Sequence, residues 1–456
     1  MLLSKKTVIQ LNETEANILG HMNYAAYKLW NICNYERYNY KELGLEEYPD
    51  WYYQKSHHRS DMWFKALPSQ TAQEVCKLLD KSWKSFYRLK KTGGVENPNP
   101  PGYKHKGIAV TYMQNGIVHE AGTETVRLTL SRQLKEYMKS AYHVHETYLY
   151  LKNRIFKSMD RIKQIHLYPL EEDGKCTVAV VYEIEDAELL PDNGHYLSVD
   201  LGLHNLMTCY DSVGKSFILG RKYLSICRRY EKEIARVQSQ WASAQAAQGI
   251  RHPKGSKHLL RLYKAKKESV RDYLHKLTRY VAEYCKKENI HTVVVGDITG
   301  IRKGKDLGKS TNQKLHGLPY VQIYNMLEYK LSLYGIRFVK QTESYSSQCS
   351  PFSKAVSKEY AVRTNRCMRG LYKDQGVIFQ ADAVGAYNIL RIFCRIRRKT
   401  KTVRVRTIGS QSYKSSCVIR KDSSIGVMDA PLELQGEALQ PDTLAIQLPS
   451  SSHIYI

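Results

Sequence analysis

HYLSVDLGLHNLMTCYD, residues 195–211, decides the fold. YLSVDLG is a short apolar run that ends on an acid and a glycine, and HNLMTCYD is a second run of the same kind. Two such runs joined by a short turn read as a hairpin, which puts Asp200 where its first strand meets the turn. SFILG (216–220) reads as a third strand, and a long basic helical stretch follows over about Tyr223 to Glu288, interrupted near HPKGSKH. HTVVVGDI (291–298) is apolar without alternation and flanked by helices, so it is expected to be parallel and buried on both faces. After it come a Lys/Gly loop (302–314), a helix LPYVQIYNMLEYKLSLYG (318–335), a strand IRFVKQTE (336–343), a loop, and a last helix from Ala381. FQADAVGAYNILR (379–391) carries a second aspartate, Asp382, where that helix begins. A lone Asp at such a position reads equally well as a turn former or a helix cap. Two of them matter because metal-dependent phosphodiester cleavage gathers carboxylates from distant segments around Mg²⁺ ions.

Upstream the pattern is different. KTVIQLN (6–12) reads as a strand, and residues 15–92 as mainly helical. LPSQTAQEVCKLLDKSWKSFYRLKK (67–91) has apolar residues at helical spacing, Ala72, Val75, Cys76, Leu79, Trp83 and Phe86, opposite a Lys-rich face. TGGVENPNPPGYKHKG (92–107) is a loop by its Gly, Pro and Asn content. Short alternating runs over 108–190 (AVTYM, TVRLTL, IKQIHLYPL, CTVAVVYEI) predict a small antiparallel sheet or barrel, closed off by PDNGH (191–195). Beyond about Thr400 there is no strong periodicity, and residues 399–456 are expected to be a flexible tail.

The chain has 456 residues, too many for one ordinary core, so two or three domains are expected. No apolar run reaches the length of a membrane span, and two Lys in MLLSKKTVIQ stand where a signal peptide would be apolar, so an intracellular protein is expected. The net charge of +26, from 70 Lys and Arg against 44 Asp and Glu, is spread along most of the chain, which favours a polyanionic partner. The 35 Tyr against 8 Phe include several beside Lys or Arg, such as Tyr103-Lys104, a pairing that suits stacking and phosphate contact as well as ordinary packing. The 10 Cys form no CxxC pair, which argues against a disulfide framework or a closed zinc site.

The element order from residue 196 onward is that of an RNase H-like sheet. SVDLGLHNL, TVVVGDITGIRKGK, NMLEYKLSLYGIRFVKQTESYSSQCS and MRGLYKDQGVIFQADAVGAYNILR together resemble the RuvC-type nuclease half of TnpB proteins, transposon-encoded relatives of compact type V CRISPR effectors. LPSQTAQEVCKLLDKSWKSF and NPPGYKHKG resemble that family's recognition helix and the entry to its wedge domain. The resemblance implies an α/β multidomain protein: a wedge strand (1–20), a helical recognition domain (21–107), a small β-barrel wedge domain (108–192) and a RuvC-like nuclease domain (193–398). It further implies an RNA-guided DNA endonuclease that binds a guide RNA with a structured scaffold, recognises a short motif beside a double-stranded DNA target, and cuts with two Mg²⁺ ions. One copy per RNA in the bacterial cytoplasm, associated with the nucleoid, is expected.

Two departures from the family pattern follow. Family members carry a catalytic Glu at the end of the fourth strand, where this chain has Gly296 followed by Asp297. Successive strand residues face opposite ways, so Asp297 is expected to point away from Asp200. Glu343, at the end of the next parallel strand, is the preferred third carboxylate, followed by Glu328 and then Asp297; a TnpB branch that lacks the usual Glu carries a similar segment. Asp200, Glu343 and Asp382 are therefore the candidate metal ligands and catalytic groups, with Asn205 and Asn388 supporting them or the backbone. Arg302, Lys303, Lys305, Lys309, Tyr103 and Lys104 are candidate nucleic-acid contacts, though the basic loop reads almost as well as a solvated one. The family often folds a zinc ribbon from two CxxC pairs after this strand. Here only Cys349 and Cys367 are present, so no zinc ribbon and a remodelled lid over 345–372 are expected. A guide-directed DNA-binding repressor without cutting activity is the competing reading.

Overall fold

In the computed structural model the chain divides into two compact units, Met1–Glu185 and Asp186–Ile456. The structure describes residues 1–405 except 94, 172, 251–254, 301–307, 309–311, 313–314, 316 and 369, and only the backbone of 396–405. Among the described residues no helix is long and apolar enough to cross a membrane.

The first unit begins with β1 (Leu2–Gln10) and α1 (Glu13–Tyr38), whose start is fixed by a reciprocal capping box between Asn12 and Glu15. Two short helices, α2 (Trp51–His57) and α3 (Met62–Lys65), lead to α4 (Ser69–Thr92). The stripe of Ala72, Val75, Cys76, Leu79 and Trp83 is the buried face of α4, with Phe86 half-buried at its end. Then follow β2 (Val110–Met113), β3 (Ile117–His119), β4 (Thr125–Thr129), α5 (Arg132–Tyr142), β5 (Tyr148–Lys152), β6 (Arg161–Leu167) and β7 (Lys175–Glu183). These strands form two sheets, in the orders β1-β7-β6-β2 and β3-β4-β5. The expected barrel is not closed among the described residues: β1 and β2 end the larger sheet and do not pair with each other. Closure needs a staggered ring of strands, whereas here α1 and α4 pack with the sheets on one apolar core that runs from Ile18 and Leu29 to Val126, Ile165 and Val180.

The second unit is built on one sheet of the order β10-β9-β8-β11-β12. Its strands are β8 (Tyr196–Asp200), β9 (Met207–Asp211), β10 (Ser216–Leu219), β11 (Thr292–Asp297) and β12 (Arg337–Thr342). The first three run antiparallel as a meander, and β11 lies parallel to both β8 and β12. The intervening helices are α6 (Tyr223–Ala247), α7 (Lys257–Lys287) and α8 (Tyr320–Ser332); a β13 (Leu371–Asp374) and β14 (Val377–Gln380) hairpin then leads into α9 (Ala381–Val405), which runs past the expected domain end at 398.

Strand alternation sorts the central residues onto two faces. Leu197, Val199, Val293 and Val295 pack with residues of α7 and α8. Tyr196 and Val294 pack with Ala386, Ile389, Leu390 and Phe393 of α9. By the same parity Asp200, Gly296 and Glu343 belong to the α9 face. The parallel strands all end at one edge of the sheet, and α9 begins there.

Candidate active site at the sheet edge

Asp200 is the last residue of β8. Its carboxyl is held well above the usual carboxylate range, first by burial, then by the negative charges of Glu343 and Asp382, with the Arg366 guanidinium and the Leu201 backbone opposing. A Cβ added at Gly385 of α9 would lie 2.5 Å from Asp200 Oδ2, so the carboxylate rests directly on the helix backbone. Glu343 follows the last paired residue of β12, and its Oε2 occupies the space into which a side chain at Gly296 would project. The missing Glu and the extra Glu are thus two aspects of one arrangement: the side chain comes from the neighbouring strand and fills the gap left by the glycine.

Asp382 enters from the first turn of α9. Asn205, in the turn between β8 and β9, donates to its Oδ2 at 2.8 Å. Gln380 donates to the same oxygen at 3.4 Å, and Arg366 Nη2 lies 3.4 Å from Oδ1. Asn205 therefore touches a candidate ligand directly, and Arg366 is a residue that the sequence pattern did not single out. It sits in an irregular loop with no periodicity to read.

The three acids are close enough to shift Asp200, yet among the described residues no three His, Cys, Asp or Glu side chains are gathered tightly enough to hold a metal ion. Asp200 and Glu343 fit a divalent cation by donor chemistry, being facing carboxyl oxygens whose repulsion a cation relieves. Asp382 is turned toward Asn205 and Arg366.

The remaining candidates fall elsewhere. Asp297 caps its own turn by accepting from Thr299 N at 2.9 Å, and that contact holds its carboxyl below the usual range. Glu328 is an exposed residue of α8. Arg302, Lys303, Lys305 and Lys309 lie outside the described residues. Asn388 is fully buried in α9. Within 345–372, Cys349 is buried with its Sγ directed to Ser357 O at 3.2 Å, while Cys367 is exposed. Phe352 packs against Phe379 in a small apolar cluster with Tyr372, Ala381 and Val384.

In the first unit, Tyr103 and Lys104 belong to a loop laid along α1. Asn34 and Tyr38 donate to Pro101 O, Trp30 to Gly102 O, and Asn31 both donates to and accepts from the Lys104 backbone. Tyr103 stacks on Tyr38, and the Lys104 ammonium lies over the Trp30 ring at 4.6 Å. Beside it is a groove of about 460 Å³ whose lining includes Lys81, Ser82, Ser85, Phe86 and Lys104.

Residues 179–302 match the family model OrfB_IS605, described as a probable transposase, and residues 320–389 match the Cas12f1-like TNB domain. No curated protein matches the chain. Among solved structures it is similar to a Cas12f1–sgRNA–target DNA complex at 15% identity, with 85% of this chain and 98% of that one covered and a TM-score of 0.34. It is also similar to the mini RNA-guided endonuclease CRISPR-Cas_phi3 at 10% identity, covering 86% and 92% of the two chains, with a TM-score of 0.42. The two family models fall in sequence order on the segments that supply Asp200 and that supply Glu343 and Asp382, and together they support a TnpB-like family.

Proposed function

We propose that this protein is an RNA-guided DNA endonuclease that binds a guide RNA with a structured scaffold, recognises a short target-adjacent motif, opens an R-loop and hydrolyses DNA phosphodiesters at Asp200, Glu343 and Asp382. The observation that carries this reading is the Asp200 carboxyl at the sheet edge, pushed upward first by burial and then by the charges of Glu343 and Asp382. The strand order β10-β9-β8-β11-β12 supports an RNase H-like, RuvC-type assignment for the unit. A carboxyl pushed upward by burial and by neighbouring carboxylates is a candidate for holding a cation or a proton.

When bound, two Mg²⁺ ions supply stabilisation of the attacking and leaving oxygens of one phosphate. Asp200, Glu343 and Asp382 would be the residues that hold them. Asn205 keeps the Asp382 carboxylate oriented through its 2.8 Å bond. Arg366, beside the same carboxylate, would suit a phosphate oxygen of the substrate. Gly385 and Gly296 keep the backbone bare where Asp200 and Glu343 lie against it. Lys81, Tyr103 and Lys104 of the first unit, and Arg302, Lys303, Lys305 and Lys309, are assigned to sugar–phosphate backbones, in keeping with the net charge of +26.

The test is plasmid cleavage by the protein purified with its co-expressed RNA, with Mg²⁺ or EDTA, comparing wild type with Asp200→Ala and Glu343→Ala. Guide-dependent cutting that needs Mg²⁺ and is lost in both variants is the expected result. Activity surviving Glu343→Ala moves the third ligand elsewhere. One observation favours the competing reading of a non-cutting, guide-directed DNA-binding repressor: Gly296 stands where the family's catalytic Glu is expected. That reading takes over if the wild-type complex binds matched DNA and never cuts it.

A further inference from the structure

Glu343 lies one residue beyond the ladder between β11 and β12, whose last pair is Asp297 with Thr342. Sheet register therefore does not hold it, and a carboxylate on the first residue of a loop needs another anchor to act at a fixed point. The chain turns sharply just after it: Ser346 N donates to Glu343 O at 3.1 Å, Cys349 N donates to Tyr345 O at 3.1 Å, and Tyr345 has a left-handed φ of 65°.

This turn is seated on two side chains of α9. Asn388 Nδ2 donates to both Ser346 O and Cys349 O at 2.7 Å. Arg391 Nη1 donates to Ser350 O at 3.1 Å and to Asn388 Oδ1 at 2.9 Å, and its Nη2 to Ser353 O. Asn388 is fully buried, and both ends of its amide are engaged. The two residues are one helical turn apart, so they present a single row of donors to successive loop carbonyls. Between them in sequence, Ile389 Cδ1 lies 3.0 Å from where a Gly296 Cβ would be, against the space that Glu343 fills.

We infer that Asn388 and Arg391 are positioning residues for Glu343. They tie the loop that carries this carboxylate to the helix that carries Asp382, so that the two acids are set by one rigid element. The inference rests on the proposed role of Glu343. A planar guanidinium with several fixed N–H groups suits a cluster of carbonyls better than an ammonium does.

The experiment is titration calorimetry of Mn²⁺ into the full chain freed of nucleic acid, for wild type, Glu343→Gln, Arg391→Met, Arg391→Lys and the Glu343→Gln/Arg391→Met double variant. Circular dichroism melting accompanies each. Arg391→Met is expected to weaken Mn²⁺ binding about 10-fold, as loss of support behind a ligand does. Arg391→Lys should recover part of that loss. In the Glu343→Gln background Arg391→Met should cost nothing more, because its effect passes through a carboxylate already removed. Wild-type affinity in both Arg391 variants, or an equal loss in the two backgrounds, overturns the inference and leaves Arg391 a general brace of the lid. If Arg391→Met does not fold, Arg391→Lys alone and with Glu343→Gln gives the same comparison. If Glu343→Gln itself binds Mn²⁺ as wild type does, the assignment of Glu343 is what fails, and the inference falls with it.

Discussion

Asp200 and Asp211 lie at opposite ends of the same β8–β9 pairing, one opposite Thr208 and the other opposite Leu197. Asp211 is almost fully buried and wholly served: its Oδ1 accepts from Val213 N at 3.0 Å and Lys215 N at 2.8 Å, and its Oδ2 from the Tyr284 hydroxyl at 2.5 Å. Burial and this carboxylate together push the Tyr284 hydroxyl far up, so it remains a donor. The Asp200 carboxyl is pushed up, first by burial and then by the charges of Glu343 and Asp382. Both are aspartates at the ends of apolar strands, and a sequence pattern scores them alike. Their surroundings separate them: one acid is supplied with donors and stabilises a turn, and the other is set beside two further carboxylates, whose repulsion Arg366 and the Leu201 backbone only partly oppose.

Exchanging each for alanine gives the largest expected effects, in opposite assays. Asp200→Ala should lower guide-directed cleavage by about 10³-fold or more, a change of roughly 4 kcal/mol in the barrier. Its melting temperature should stay level or rise, because a carboxyl buried among like charges is removed. Asp211→Ala strands three donors and should cost about 2–4 kcal/mol, seen as a clear fall in thermal midpoint. Equal midpoint losses in the two variants would dissolve the distinction between them.

Glycines give a second, sharper separation. Gly385→Ala places a methyl 2.5 Å from Asp200 Oδ2 within a helix, where alanine is intrinsically favoured over glycine by about 1 kcal/mol. Cleavage should fall about 10–100-fold from displacement of the carboxylate, with the melting temperature unchanged or higher. Gly296→Ala, in a strand, should lower cleavage in the same way through Glu343. A stable Gly385→Ala variant that cuts at the wild-type rate would mean that the position of Asp200 is not critical. Asn205→Ala is the milder version, removing one bond to Asp382 and lowering cleavage about 5–10-fold without a shift in midpoint.

Much of this site was legible because strand alternation is strict. The apolar runs around Asp200, Val295 and Thr342 assign Asp200, Gly296 and Glu343 to one face and send Asp297 to the other, where it caps its own turn. Helical spacing in α4 likewise identifies its buried stripe. Close approach was not legible: nothing in ADAVGAY says that Gly385 is the point where Asp200 touches the helix. Nor was Arg366, since an irregular loop carries no period from which to place a side chain. Whether the first unit's strands close into a barrel was not legible for a related reason. Alternation names strands but not their partners, and the first strand pairs with β7, with Leu2 opposite Glu183.

Lys330 of α8 tests the same contrast with the sign of the charge reversed, and its effect is the smallest. Like Asp211 it has partners, donating to His275 O at 2.7 Å and Thr278 Oγ1 at 2.8 Å. Like Asp200 it carries a charge where burial disfavours it, and burial, aided by the Arg279 cation, lowers its pKa to about 8. An unfolded lysine titrates near 10.4, so between about pH 8 and pH 10.4 the unfolded chain binds more protons and stability should rise with pH across that window. Lys330 is only half-buried, so solvent screening holds the gain to about 1 kcal/mol. Urea midpoints at pH 7 and pH 9.5 should therefore separate further for wild type than for Lys330→Met, in which the titrating group is gone. Identical pH responses would show that its two hydrogen bonds, as at Asp211, outweigh the cost of burying the charge.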